Sequence, residues 1–312
     1  MKIIVTGAAG FIGSHLCEYL LASGEHEVIG VDAFVREELQ WIGTKNMDSF
    51  LNHPQFKMIT TNMLLIDWKK LLKDVDIIYH LAGIPGVRSS WGTDFQSYVE
   101  SNILATQQLL EACRQASIKK FVFASTSSVY GETMGQVSED SPLAPLAPYG
   151  VSKLTGEHLC RVYSQNVPIV ILRFFTVYGP RQRSDMAFHR FIKQLLADDP
   201  ITLIGDGLQS RDFTYISDCV EAIAAVASAP HVIGETINIG GSERATIIQV
   251  IRTLELLTGK KAAIAPSGSM HGEPMHTWAN ISKARRLLQY EPKISLKTGL
   301  AKELAYFSNL YK

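Results

Sequence analysis

The first thirteen residues limit the fold more than any other stretch of the chain. Lys2-Ile3-Ile4-Val5-Thr6 is a short β-branched run that leads without a gap into Gly7, Gly10 and Gly13, and apolar residues then recur at helical spacing. A strand that turns on glycine into a helix presents bare backbone N–H groups at the positive end of that helix, where a pyrophosphate can sit. The spacing is one residue longer at the turn than the common GxGxxG fingerprint, and glycines alone also fit any tight turn. The next strand adds weight, because it ends at Asp32, nineteen residues after Gly13. A carboxylate there accepts both ribose hydroxyls of NAD and repels the 2′-phosphate of NADP.

Strand and helix patterns alternate through the first half. Strands are predicted at Lys2–Thr6, Glu27–Val31, Phe56–Thr60, Asp76–Leu81, Phe121–Ser125 and Ile169–Phe174, and helices at Ser14–Ala22, Asp94–Ala116 and Tyr149–Gln165. Several strands are apolar without alternation, as in strands covered on both faces. The fold class this predicts is α/β: a doubly wound parallel (Rossmann) sheet with a smaller mixed α/β substrate-binding domain. In the less regular second half, helices are expected at 187–196, 246–258, 282–288 and 296–309, with Ser217 capping another that runs to Ala227. Extended segments are expected at 201–204, 211–216 and 236–239, and site-flanking loops at Pro142–Pro148 and Pro266–Pro274. Residues 1–175 are expected to hold NAD, with 212–240 returning to that domain, while 176–211 and 241–312 form the substrate domain.

Charge narrows the range of partners. Thirty Lys+Arg balance thirty Asp+Glu, so nothing electrostatic favours a nucleic acid or an anionic membrane. No apolar run reaches the ~18 residues of a membrane span, and glycine interrupts the N-terminal run too early for a signal peptide. Cys17, Cys113, Cys160 and Cys219 lie in helix-like segments without a CxxC pair. Buried free thiols in a reducing cytoplasm are the plain expectation. His271, Glu273 and His276 share a loop but lack ligand spacing, so no metal is assigned.

Tyr149 and Lys153 stand four apart at the start of a helical segment and project from one face. The spacing alone decides nothing; position does, because the Ser125–Ser128 run closes a strand some twenty residues earlier, at the kind of strand end where doubly wound sheets place their chemistry. A phenol with its ordinary pKa of ~10 is a poor base near neutrality. A lysine ammonium and a positive nicotinamide ring both favour the phenolate. Tyr149 is then able to remove an alcohol proton as hydride leaves the same carbon, with Thr126 sharing the hydrogen bond.

Taken together, TGAAGFIGSH (6–15), HLAG (80–83), ASTSSVYG (124–131), PYGVSK (148–153), LRFFTVYGPRQR (172–183), GDGLQSRDFTYISD (205–218) and NIGG (238–241) resemble the extended short-chain dehydrogenase/reductases, in the NAD-dependent sugar-nucleotide epimerase/dehydratase group. IPGVRSSW (84–91), DMA (185–187), GEP and TWANISKA (277–284) are similar to its bacterial UDP-glucuronate 4-epimerases. The resemblance implies tightly held NAD, a UDP-sugar substrate, and C4 oxidation followed by rotation of a 4-keto sugar and re-reduction. It implies Thr126, Tyr149 and Lys153 as catalytic residues. The NAD positions it implies are Gly7, Gly10, Phe11, Ile12, Gly13, Asp32, Asn62, Met63, Leu81, Ala82, Ser125, Tyr149 and Lys153. Toward the substrate it implies Pro85, Arg88, Thr126, Ser127, Ser128, Thr176, Arg183, Arg211 and Glu273, with Arg183 on the sugar carboxylate. A homodimer through the segments 94–116 and 149–165 is implied as well. Two positions depart from the pattern: Asn62 stands where many relatives carry Asp, and Ser184 where close relatives often carry Pro, which gives the Arg183 loop more freedom.

Neighbouring activities differ at named residues. Dehydratases of this group carry Asp-Glu where this chain has Ser127-Ser128, and two hydroxyls are poor substitutes for that acid and base. Related decarboxylases usually carry Glu at the second of those positions. A UDP-glucose/galactose 4-epimerase differs in not requiring the 6-carboxylate. A non-catalytic NAD-binding sensor would have little reason to keep Thr126, Tyr149 and Lys153 together.

Overall fold

The computed structural model describes residues 1–35, 40–268 and 271–312. Strands run at Lys2–Thr6 (β1), Glu27–Asp32 (β2), Phe56–Thr60 (β3), Ile77–His80 (β4), Lys120–Thr126 (β5), Ile169–Phe174 (β6), Thr176–Tyr178 (β7), Ile201–Leu203 (β8), Ser210–Tyr215 (β9), Thr236–Ile239 (β10), Glu243–Thr246 (β11) and Ile264–Pro266 (β12). Helices run at Phe11–Ala22 (α1), Gln40–Met47 (α2), Trp68–Leu71 (α3), Phe95–Tyr98 (α4), Ala105–Cys113 (α5), Pro148–Tyr163 (α6), Ala187–Leu196 (α7), Ile216–Ala225 (α8), Ile247–Thr258 (α9), Ser282–Leu288 (α10) and Leu296–Leu310 (α11).

Seven strands form one sheet in the order β10-β6-β5-β4-β1-β2-β3, with every pairing parallel. Side chains alternate across it. Ile3 and Val5 enter one buried cluster together with Leu16 of α1 and Val220 of α8, while Ile4 enters the other with Leu109 of α5 and Cys160 of α6. Chain direction therefore reverses between β1 and β4, and the crevice beyond their carboxyl ends is where a doubly wound sheet binds its ligand. Thr6 sits level with Val31 on one side and His80 on the other, so three strand ends open onto that crevice together.

A smaller layer covers the crevice. β9 lies between β7 and β11 in a three-stranded sheet, and β8 pairs with β12. Within 212–240, α8 packs on α1 and β10 extends the large sheet, whereas β9 belongs to the small one. Three expectations change. Helix α8 begins at Ile216 with Tyr215 at the cap position, so Ser217 lies inside its first turn and caps nothing; β9 feeds the helix directly. The expected helix over 94–116 is instead α4, a wide π-helical turn at Val99–Leu104, and α5. Of the expected loop 266–274, Ser269 and Met270 lie outside the described residues, and Ile264–Pro266 is a strand.

One buried ion pair ties α6 to the sheet. Arg173 of β6 donates from Nε and Nη2 to Glu157 of α6 at 2.8 and 2.7 Å, and Arg173 is 1% exposed. Ser125 donates to the same carboxylate at 2.6 Å, and Arg161 adds a bond at 2.9 Å. Burial pushes the Glu157 carboxyl up, but Arg173, Ser125 and Arg161 more than offset this and hold it below its ordinary value. Arg173 also donates from Nη1 to the Tyr130 hydroxyl, which donates to Asn238 of β10. Replacing Arg173 with Met leaves the Glu157 charge buried beside only the half-exposed Arg161. Such a change costs about 3–5 kcal/mol. The expected outcome is a lower urea midpoint, and a midpoint equal to that of the unaltered protein would contradict this account.

Candidate active site

A cavity of about 460 Å³ fills the crevice between the two layers. Its floor is the turn from β1 into α1. Gly7 has φ +73°, and a Cβ there would lie 2.9 Å from the Ala82 amide nitrogen. A Cβ on Gly13 would lie 2.0 Å from the Gly7 carbonyl oxygen, which no small adjustment relieves. Gly10 occupies the helix cap position and supplies no side chain to the orphan N–H groups behind it. At the end of β2, Asp32 accepts from the Ala9 and Phe34 amides at 3.1 and 2.9 Å. Burial raises its pKa, and those amides work against the rise. Phe11, Ile12, Asn62, Met63, Leu81, Ala82 and Ser125 line the same cavity. An uncapped helix start, a backbone that only glycine permits, and a carboxylate one strand away fit a dinucleotide such as NAD.

Thr126, Tyr149 and Lys153 converge on the opposite wall. Thr126 ends β5, its Oγ1 accepting from the Ser128 amide at 3.1 Å and donating to the Ser128 hydroxyl at 3.2 Å. Pro148 opens α6, where its missing N–H costs nothing, and the next turn carries Tyr149 and Lys153. Burial raises the Tyr149 pKa; a hydrogen bond with Thr126 and the charge of Arg183 pull it back. Lys153 is 6% exposed, and burial lowers its pKa to about 8. Its ammonium lies 4.4 Å from the centre of the Phe123 ring.

Asn102, absent from the sequence-based set, binds these parts together. The π-helical turn brings it to the HLAG loop, where its side chain accepts from the Ile84 amide at 2.7 Å and donates to the Ile84 carbonyl at 3.0 Å. It also donates to the Ser152 hydroxyl at 3.0 Å, which donates to the Tyr149 carbonyl at 2.8 Å. A fully polar Asn at a position the apolar stripe of 94–116 assigns to the core is the trace it leaves in the sequence.

Pro85, Ser127, Ser128, Thr176 and Arg183 share the main cavity. Arg88, Arg211 and Glu273 do not line it and form their own group: Glu273 accepts from Arg88 Nε at 2.9 Å and from Arg211 Nη2 at 3.1 Å. Arg88 also borders a second cavity of about 250 Å³ with Trp91, Ile204, Ser267, Gly268 and His271. His276 instead meets the Ser210 hydroxyl at 2.8 Å. Among the described residues no three His, Cys, Asp or Glu side chains cluster as a metal site.

The glycine cradle, the strand-end acid and the Tyr–Lys pair define a nucleotide-dependent enzyme of the Rossmann type. Residues 3–240 match the model of the NAD dependent epimerase/dehydratase family, and the chain belongs to that family. It is 60% identical to an uncharacterized UDP-glucose epimerase, YtcB, of Bacillus subtilis (strain 168), over 100% of this chain and 99% of the relative. It is 38% identical to the UDP-glucuronate 4-epimerase of Thermodesulfobacterium geofontis (strain OPF15), covering 95% and 93% of the two chains. The crystal structure of the UDP-glucuronic acid 4-epimerase from Bacillus cereus in complex with UDP-glucuronic acid and NAD superposes with a TM-score of 0.98 at 55% identity, over 100% of both chains.

The buried lysine carries a stability cost with a definite pH signature. Its folded pKa of about 8 lies below the 10.5 of a free lysine, so between those values the unfolded chain binds more protons and stability rises with pH. Lys153→Met is expected to be more stable than the unaltered protein below pH 8, by on the order of 3 kcal/mol. Chemical denaturation across the pH range checks this: the gap should close toward pH 10.5, and a pH-independent gap would refute it.

Proposed function

We propose that this protein interconverts UDP-glucuronic acid and UDP-galacturonic acid by NAD-dependent epimerisation at C4. The observation that carries the reading is that Thr126, Tyr149 and Arg183 line one cavity with the glycine cradle. NAD, when bound, supplies a hydride acceptor that takes hydrogen from C4 and returns it. Tyr149 takes the 4-hydroxyl proton and later gives it back, with Thr126 holding the oxygen between them. The Lys153 ammonium lowers the cost of the phenolate by nearby positive charge. The 4-keto sugar turns within the cavity, so that it is reduced on its other face.

A hexuronate oxidised at C4 is a β-keto acid, and it loses carbon dioxide when the C5–carboxylate bond stands perpendicular to the carbonyl plane. Arg183 suits the task of holding that group near the plane, because a guanidinium fork binds a carboxylate through two donors at once. Arg211, Arg88 and Glu273 are assigned to the nucleotide, and residues 176–211 with 241–312 to the UDP-sugar side of the enzyme. Support for a homodimer comes from exposed Leu104 at the end of the π turn and exposed Val151 and Val162 on α6. Support for a cytoplasmic location comes from four free, buried thiols and from the absence, among the described residues, of a helix long and apolar enough to cross a membrane.

Incubation with UDP-glucuronic acid, followed by NMR of the anomeric protons and mass spectrometry, tests this. The expected product is an isomer of unchanged mass. Tyr149→Phe should lower kcat by about 10³-fold or more while leaving UDP-sugar binding within a few-fold, since one proton-transferring group contributes about 10²–10⁴. Conversion of UDP-glucose at an equal or greater rate would instead identify a neutral-sugar epimerase. Arg183→Ala or Arg183→His should raise the decarboxylated product relative to the epimer. Loss of all activity at an unchanged product ratio would count against the clamp.

A further inference from the structure

Arg183 reaches the main cavity, and its charge is felt at the Tyr149 phenol. The same guanidinium is gripped from its other flank. Asp185 Oδ1 accepts from Nε at 2.9 Å and Oδ2 from Nη2 at 3.1 Å. The Asp185 side chain is 41% exposed against 22% for Arg183, so the acid lies on the solvent side of the pair. A guanidinium has two in-plane edges suited to a carboxylate, Nε/Nη2 and Nη1/Nη2. When one is filled, rotation of the group is stopped and the direction of Nη1 is set.

The loop around the pair is tied down on both sides. Before it, the Gln182 amide donates to Gly179, and the Gln182 side chain donates to the Val177 carbonyl and accepts from the His189 amide. After it, Met186 donates to the Arg183 carbonyl and Arg190 to the Met186 carbonyl. Asp185 thus stands on a short, hydrogen-bonded turn rather than on a free arm, and this restores at Arg183 some of the stiffness that Ser184 forgoes by not being proline. Asp185 also bears electrostatically on Arg190, which places one acid between two cations.

We propose that Asp185 is a positioning residue for uronate recognition: by holding the Nε/Nη2 edge of Arg183 it sets the angle at which Nη1 meets the carboxylate of the sugar. This rests on the UDP-glucuronate reading above. An arginine without such a brace must lose side-chain freedom each time it binds, and affinity falls accordingly. A brace also fixes the plane of the clamped carboxylate, on which retention of carbon dioxide depends.

The test uses the holoenzyme and the variants Asp185→Asn and Asp185→Ala, with UDP-glucuronic acid, UDP-glucose and UDP itself as probes. Asp185→Asn and Asp185→Ala should raise KM for UDP-glucuronic acid about tenfold, as loss of preorganisation predicts, and raise the decarboxylated share several-fold. Calorimetric binding of UDP and UDP-glucose should stay within about twofold of the unaltered enzyme. Asp185→Glu, which restores the charge, should recover part of the loss. Unchanged KM and product ratio would overturn the proposal, and so would a fall in KM, which would make Asp185 a competitor of the substrate. Equal losses on all three probes would reduce it to a structural residue. An unaltered enzyme that does not discriminate UDP-glucuronic acid from UDP-glucose would remove the underlying reading and this proposal with it. A selective enzyme matched by its Asp185→Asn variant would remove this proposal alone.

Discussion

The bond between Glu157 and Arg173 governs where the chemistry happens. Helix α6 carries Tyr149 and Lys153 on its first turn and Glu157 one turn beyond Lys153. By accepting from Arg173 of β6 and Ser125 of β5, Glu157 clamps the helix to the two strands whose ends form the reactive wall. Ser125 is the neighbour of Thr126, so one carboxylate spaces the hydroxyl on the strand from the phenol on the helix. An apolar contact resists separation but tolerates sliding. A bidentate charged pair resists both, and that suits a site in which an error of an ångström matters.

Around this clamp the polar interior leaves little rotational choice. Thr106 donates to the Asn102 carbonyl at 2.8 Å, so it must accept from His80 Nε2 at 2.9 Å. That assignment leaves His80 Nδ1 to accept from Thr6 at 2.8 Å, while Thr6 accepts from the Ala82 amide at 3.1 Å. Burial, and next the charge of Lys153, keep the imidazole neutral, with its pKa lowered to about 3. The chain runs from the end of β1 through the end of β4 to the π turn in a single tautomeric arrangement. It fixes the loop on which Leu81 and Ala82 face the cavity.

Legibility in the sequence followed the reach of each constraint. The glycine turn and the Tyr149–Lys153 spacing are local, because backbone geometry within a few residues decides them, and the parallel strand–helix alternation declared the large sheet. Contacts over long separations left no such trace. Arg88 meets Glu273 across most of the chain, and the residues between them give no hint of it. β7, β11 and β12 have three or four residues each, too few to show a period. Ser217 has the chemistry of a cap, but β9 runs straight into α8 and places Tyr215 there instead. Asn102 was hidden because a π turn breaks the helical count, so its side chain departs from the face that α-spacing assigns to it.

That π turn makes chain length itself a structural variable. It spends one more residue per turn than an α-helix does, and everything after it is rotated accordingly. Removing a single residue from Val99–Leu104 would let the segment wind as ordinary α-helix and turn α5 by about 100° about its axis. Leu109, Leu110 and Cys113, which now face the sheet, would leave the core, and Asn102 would swing away from Ile84 and Ser152. Point substitutions on the outer surface of this helix meet no such penalty. Between β4 and β5 the protein therefore has freedom in composition and almost none in length, so insertions and deletions in this family's variants belong in loops on the covering layer rather than here.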